Sequence, residues 1–561
     1  MHFSCNSVLC LTLALLQAGC TAMPPLGPPD SGMADASIND SGAPDAGKPD
    51  AGPAKFPRGL IDLRARDGVV LKTWVYAPAG PGPFPVFLVR NPYGSLNLDA
   101  NLELYSQFFT SRGITLVWQA TRGTGGSGGV FVPFLSEVDD AHDTIAWLVV
   151  QPACNGRIGV GGGSYLGYTA FAAAVDRHVV VLVSDDTSTD EEWTRHFGTV
   201  SAYLLSWWGY VERGRQANAA EQSLITNSLD LTNIDQALLG RDLPYWNGVL
   251  ASGTSVYPRD ASLRTLARSI CVPSLQVIEG ETDWNDPRLA WEATVADGCV
   301  RERDHQWLLV APESHAVHFS AFGVSDTWVT PDMLTMLEAY LLQTRPAPTW
   351  AKVRYRVETT EATRTANRWP PPATLTTTFY LGPIGGNGEG TLTTTPPPVT
   401  TQWTMHSDPA ATDPCQTPTA TWFTSTVLTQ DLVLVGAPRL TMVATTAAAD
   451  FDVHVELYDY QYSPEVFRSL GTGSVRARYR TGTDQPLPAS MGIPLDIELT
   501  TSARRVPAGH ALTVSIAPSR CVYAENPHTG EPADRQTSWS TANIIFTLGA
   551  QGATLVLPQV P

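Results

Sequence analysis

The stretch Gly161-Gly162-Gly163-Ser164-Tyr165-Leu166-Gly167 separates two segments of different period. Before it, Arg157-Ile158-Gly159-Val160 reads as a short buried strand. After it, Tyr168-Thr169-Ala170-Phe171-Ala172-Ala173-Ala174-Val175 reads as a small-residue helix lying close to a sheet. A serine between glycines at a strand-to-helix turn is the pattern of a nucleophile elbow, where a strained backbone leaves no room for side chains and holds the hydroxyl above the sheet. The short form of the pattern has glycine two places after the serine. Here Leu166 stands there and the glycine follows at Gly167. The heptapeptide by itself also suits an ordinary glycine-rich turn of an α/β sheet, so the flanking sequence decides.

Upstream, Asp67-Gly68 joins predicted strands at Ile61–Arg64 and Val69–Tyr76 into a hairpin. Phe84–Val89 is a buried strand running into Arg90-Asn91-Pro92-Tyr93. Leu102–Arg112 has helical spacing and Ile114–Gln119 is the next strand. The glycine-rich loop Thr121–Gly129 lacks the Gly-Lys-Ser/Thr ending of a phosphate-binding loop. Val138–Val149 is an amphipathic helix whose early Asp139, Asp140 and Asp143 suit the helix dipole. Strands alternating with helices predict a mostly parallel sheet covered on both faces. The pattern is interrupted from Asp185 to about Leu266 by polar helical segments containing Tyr203-Leu204-Leu205-Ser206-Trp207-Trp208, which reads as an inserted cap. It resumes with strands at Pro273–Ile278 and Trp307–Ala311 and a helix at Pro331–Leu342. From about Val353 to Pro561, alternating Thr, Val and Leu broken by Pro, Gly and Asp predict a jelly-roll β-sandwich.

Three residue types then fall in order beyond strand ends: Ser164, Asp283 and His315. Open α/β sheets place their ligands there, and Ser, Asp, His is the chain order of α/β-hydrolases. A neutral His315 can take the Ser164 proton, and Asp283 can hold the imidazole tautomer. Asp286 is an alternative acid, and His318 or His196 an alternative base.

These residues resemble the cocaine-esterase and X-prolyl-dipeptidyl-aminopeptidase-like serine hydrolases (the CocE/NonD group), whose relatives include α-amino-acid ester hydrolases and glutaryl acylases. Gly162-Gly163-Ser164-Tyr165-Leu166-Gly167 matches the group's Gly-x-Ser-Tyr-x-Gly, and Arg90-Asn91-Pro92-Tyr93 its Arg-x-Pro-Tyr. Thr121-Arg122-Gly123, followed by Ser127-Gly128-Gly129-Val130-Phe131, matches its Arg-Gly…Ser-x-Gly-x-Phe loop. Gly280–Asp283 and Pro312–His315 align with the segments carrying its acid and base. The resemblance runs from about residue 58 to the end. It implies an α/β-hydrolase with an inserted helical cap and a C-terminal jelly-roll domain. It also implies oxyanion donors at the Tyr93 hydroxyl and the Tyr165 backbone N–H, and an acyl-pocket wall at Trp207. Glu281 and Glu313 replace aromatic residues usual in the group. In the α-amino-acid ester hydrolase branch a carboxylate cluster receives the substrate ammonium. This chain has Asn285 and Asp286 at two of those positions, with Glu281 and the run Asp185-Asp186…Asp190-Glu191-Glu192 nearby.

The expected organisation is an export signal over 1–20, a disordered linker over 21–55, hydrolase segments over 56–184 and 268–350 around a cap over 185–267, and a β domain over 351–561. The apolar run Val8–Leu16 is too short to span a bilayer. Ala18-Gly19-Cys20 after it resembles a bacterial lipoprotein cleavage box, with Cys20 lipidated and the protein held at the cell envelope or secreted. The formal charge of −18 argues against a nucleic-acid partner, whose phosphates would be repelled. No metal or cofactor is expected. Five of the eight cysteines lie beyond the signal region. Cys271–Cys299 and Cys415–Cys521 are possible disulfides, and Cys154 is the odd thiol. The expected activity is hydrolysis of a small-molecule ester or amide through an acyl-enzyme. X-prolyl dipeptidyl aminopeptidase and α-amino-acid ester hydrolase or acylase are alternatives within the class, and a non-catalytic surface-binding protein is one outside it.

Overall fold

The computed structural model describes residues 55–93, 98–187, 195–196, 198–201, 203–215, 217–251, 262–279, 288–312, 329–358, 361–373, 375–410, 415, 419–488, 491–521 and 523–560. Among them, a ten-stranded sheet runs through β1(Gly59–Arg64), β2(Val70–Tyr76), β4(Thr115–Ala120), β3(Phe84–Asn91), β5(Cys154–Gly163), β6(Val179–Asp185), β9(Ser274–Glu279), β10(Gln306–Ala311), β11(Val353–Tyr355) and β12(Arg364–Ala366), in that spatial order. The strands from β4 to β11 pair in parallel, and antiparallel strands close both edges. Parallel strands are buried on both faces, and these read as near-continuous apolar runs. On one face, α2(Glu137–Val149) and α3(Tyr165–Ala174) place Ile145, Leu148 and Phe171 against Leu88, Ile158 and Val160. On the other, Phe109 of α1(Leu98–Thr110) and Met333 of α9(Thr330–Met336) cover Phe87, Val181 and Leu275.

The parallel sheet ends later than the sequence led us to expect. Val353–Tyr355 and Arg364–Ala366 are strands of this sheet, β11 lying parallel to β10 through Leu308↔Val353, and not the opening of the β-sandwich. Their two three-residue strands are too short for alternation to say which sheet they join. The inserted region is largely helical, with α4(Tyr203–Arg213), α5(Ala219–Thr226), α6(Ile234–Leu239), α7(Pro244–Ala251) and α8(Leu263–Arg268). It also carries a small antiparallel pair, β7(Arg195–His196) with β8(Thr199–Val200), that helical spacing did not foretell.

From Leu375 to Gln559, the described residues form thirteen strands that fold around one apolar core including Phe379, Phe423, Leu457, Ile516 and Phe546. This β-sandwich packs on the parallel sheet through Val433 and Val435, with Trp369 of the connecting segment, against Ile278, Leu308 and Val310. It also reaches the cap. The N–H groups of Ala524 and Glu525 donate to the carbonyls of Val200 and Thr226, both 2.8–2.9 Å long. Gln222 donates to the Cys521 carbonyl at 2.9 Å. Cys521 is disulfide-bonded to Cys415, as expected. The other possible pair is not joined: among the described residues Cys154, Cys271 and Cys299 are thiols. Cys271 and Cys299 are neighbours, and the hydrogen bond between them, helped by burial, pushes the Cys271 thiol up to about 11. No helix among the described residues is long and apolar enough to cross a membrane.

Candidate active site

Ser164 closes β5 and opens α3 with φ 56° and ψ −128°. That region is costly for any residue with a side chain and persists only where the surroundings over-determine it. The surroundings do so here. Ser164 N–H donates to the Asp185 carbonyl at 2.9 Å, and the Ser164 carbonyl accepts from Gly167 at 2.9 Å and Tyr168 at 3.3 Å. The flanking glycines have no room for a side chain. A Cβ on Gly162 would lie 2.4 Å from Leu166 backbone atoms, and one on Gly161 would lie 2.6 Å from the Phe87 ring. The late glycine has a steric cause as well. A Cβ on Gly167 would sit 1.7 Å from the Thr187 hydroxyl, whereas Leu166 turns into the core beside Phe87 and Phe109.

Tyr93 reaches the elbow from the end of β3. Its N–H donates to the Asn91 side chain at 3.0 Å, turning the chain after the strand. Burial raises the Tyr93 phenol above its ordinary pKa, opposed by hydrogen bonds with Ser164, with Trp207 and with the Tyr165 backbone amide. At neutral pH the phenol is therefore a proton donor. The structure thus brings Ser164, Tyr93, Tyr165 and Trp207 together. The Trp207 ring centroid is 5.0 Å from that of Tyr165 and 6.3 Å, edge-on, from that of Tyr93. Edge-on and tilted aromatic pairs of this kind add about 1 kcal/mol each beyond the area they bury.

The glycine-rich loop serves this cluster. A Cβ on Gly123 would strike the Phe131 backbone at 2.1 Å, so the loop folds tightly enough to carry the Phe131 ring to 5.9 Å from both Tyr165 and Trp207. Arg122 pins the loop through Asp140 and Asp67, both at 2.6 Å. Phe131 is an aromatic wall of the site that the sequence offered only as part of a motif. Glu137 went unnoticed: it reads as a first-turn acid complementing the helix dipole, yet it is buried and accepts from Arg90 at 2.6 Å and Tyr165 at 3.1 Å.

Asp283, Asp286, His315 and the alternative base His318 lie outside the described residues, as do Glu281, Glu313 and Cys20. His196 belongs to β7. Asp185 and Asp186, expected at the rim among carboxylates, have no accessible surface and close the end of β6 beside the elbow. Asp185 ends β6 opposite Gly163 of β5, and Asp186 follows it, its N–H donating to the Val277 carbonyl of β9 at 2.8 Å. Among the described residues no group of three or more His, Cys, Asp or Glu could hold a metal ion.

Comparison with known proteins agrees with this architecture. Residues 67–316 match the family X-Pro dipeptidyl-peptidase (S15 family), and residues 349–556 match the X-Pro dipeptidyl-peptidase C-terminal non-catalytic domain. The cocaine esterase of Rhodococcus sp. (strain MB1 Bresler) is 28% identical over 534 residues, covering 83% of this chain and 91% of that protein. A solved α-amino acid ester hydrolase superposes with TM-score 0.72 at 19% identity, over 91% of this chain and 99% of its own. A CocE/NonD family hydrolase from Staphylococcus aureus gives TM-score 0.63 at 19% identity, over 90% and 93%. These two structures share the fold: an α/β-hydrolase followed by a β-sandwich. With the two matched domains in the same order as the fold, the chain is a serine hydrolase that carries the S15-family X-Pro dipeptidyl-peptidase domain followed by that family's C-terminal domain.

Proposed function

We propose that the protein is an exported esterase that cleaves a small-molecule ester through an acyl-enzyme on Ser164. The observation that carries the reading is the strained Ser164, hydrogen-bonded to a phenol that also faces the Tyr165 N–H. Ser164 Oγ attacks the substrate carbonyl while His315 takes its proton, and Asp283 orients the imidazole and stabilises its charge. The carbonyl oxygen, now negative, accepts from the Tyr93 O–H and the Tyr165 N–H. Two such donors act mainly in the transition state, each worth about 3 kcal/mol. His315 then protonates the leaving alkoxide, and water repeats the sequence to release the acid. Phe131 and Trp207 offer the acyl group an aromatic wall.

An ester substrate follows from the similarity to an esterase over most of the chain. An amide or X-prolyl substrate remains the alternative within the family. Selection for a free α-amino group through Asp286 is less favoured, because Asp185 and Asp186 present no surface to an entering ammonium. Export with cleavage before Cys20 and lipid attachment there is part of the proposal, and rests on Ala18-Gly19-Cys20 after the apolar run. A fluorophosphonate probe tests the centre of the reading. It should label the wild type and not Ser164→Ala. Equal labelling of both would place the nucleophile elsewhere.

A further inference from the structure

The two oxyanion donors of the proposed mechanism come from separate segments, Tyr93 after β3 and Tyr165 at the start of α3. Something must fix their separation, since donors help only when they point at one place. Glu137, the first residue of α2, touches the chain behind both. Its Oε2 accepts from Arg90 Nη1 at 2.6 Å, and its backbone carbonyl accepts from the same nitrogen at 2.8 Å. Its Oε1 accepts from the Tyr165 hydroxyl at 3.1 Å. Arg90 is three residues before Tyr93 and is itself locked: Nε donates to Gln119 at 2.9 Å, and Nη2 lies 3.5 Å from Asp140. The Arg90 carbonyl accepts from Thr169 of α3 at 2.8 Å, a second tie between the two segments. The Tyr165 hydroxyl accepts in turn from the Phe134 N–H at 2.8 Å. Arg90, Glu137 and Tyr165 are all nearly inaccessible to water.

An ion pair buried against a neutral phenol is a poor means of stabilisation, because desolvation offsets most of the attraction. What it does well is impose one geometry, since any displacement exposes an uncompensated charge. We infer that Glu137 is a positioning residue that braces the Tyr93 O–H and the Tyr165 N–H at a fixed spacing, through Arg90 on one side and the Tyr165 phenol on the other. The inference rests on the oxyanion roles proposed above.

Tyr165→Phe removes one arm of the brace and leaves the Arg90–Glu137 pair in place. Glu137→Gln weakens both arms. Tyr165→Phe should lower kcat on an aryl ester about 10-fold and Glu137→Gln about 10- to 100-fold, with KM within about twofold, the scale expected for misplacing a group by a fraction of an ångström. The affinity for phenylboronic acid, which Ser164 converts to a tetrahedral anion, should fall in step with kcat. Loosened packing without loss of aim would not produce that parallel. The double variant should be no worse than Glu137→Gln, because the two substitutions cut the same linkage. Additive losses, or kcat within twofold of wild type in Tyr165→Phe, would overturn the brace even if Glu137→Gln fails to fold. Fluorophosphonate labelling of the wild type separates the two readings. A wild type that is not labelled at Ser164 removes the proposed site and the brace with it. A labelled wild type with unaffected variants removes the brace alone.

Discussion

The strain at Ser164 is maintained by a turn with no slack, and Gly162→Ala measures that slack. A Cβ there meets the Leu166 carbonyl carbon, carbonyl oxygen and Cβ at 2.4 Å, where ordinary contact begins at 3.4 Å. Two of the three are backbone atoms of α3, so no side-chain rotation relieves the clash. The turn and the first turn of the helix must part by about 1 Å, and overpacking of this kind costs about 1–3 kcal/mol. The Tyr165 N–H moves with the helix. A 1 Å misplacement at a reacting centre costs about 100-fold, so kcat/KM on an aryl ester should fall by about two orders of magnitude, mostly in kcat. Gly386→Ala is the control. It lies outside the site, its Cβ would meet nothing within 4 Å, and its φ is not in the left-handed region. It should be neutral in both respects. Steady-state hydrolysis, the rate of fluorophosphonate labelling and a thermal melt would be compared across the three proteins. A Gly162→Ala protein that melts and labels like the wild type would refute the claim that the turn is held by contact with α3.

Tyr93→Phe should lower kcat about 100-fold while moving KM little, since the donor acts on the developing oxyanion; a change confined to KM would remove that role. Asp283→Asn and His315→Ala should each abolish most turnover without lowering the melting temperature, and loss of activity in Asp286→Asn with a nearly silent Asp283→Asn would move the acid to Asp286. Replacing Cys415 and Cys521 with serine opens a 106-residue loop, for which chain entropy predicts a loss of about 4–5 kcal/mol. Equal denaturation midpoints for oxidised protein and the double variant would contradict this. Burial pushes the His528 imidazole from 6.5 down to about 4, so the folded protein refuses a proton that the unfolded chain takes up. Its contribution to stability is whole above pH 6.5 and is lost as pH falls toward 4, by about 3 kcal/mol. His528→Asn, which tolerates the φ of 62° found there, should flatten that acid limb of the stability profile by about one proton; an unchanged slope would assign the titration to other groups.

The parts of the molecule legible in sequence were those with local signatures. The elbow glycines, the long apolar strands and the helix over Val138–Val149 all announce themselves through neighbours in the chain. Strands β11 and β12 do not, because three residues give alternation nothing to repeat. Glu137 was illegible for a different reason. Its nearest meaning is a dipole partner, and its burial depends on Arg90, 47 positions away. Asp185 and Asp186 were misjudged in the same way. Acidic residues in a row look solvated until a neighbouring strand covers them. Gly167 could be matched to a family pattern, but only the Thr187 hydroxyl says why it must be a glycine.

The cap borrows its fastening from far ahead in the chain. Gln222 waits on the Cys521 carbonyl, 299 residues later. Thr226 and Val200 wait on Glu525 and Ala524. During synthesis at roughly 5–20 residues per second, the parallel sheet and Ser164 emerge first, and tens of seconds pass before the partners that dock the cap exist at all. For that interval the nucleophile's surroundings cannot be complete. Hydrolytic competence should therefore arrive late and all at once, with the last strands of the β-sandwich, and a ribosome stalled before Cys521 should carry a chain that has its serine but not its enzyme.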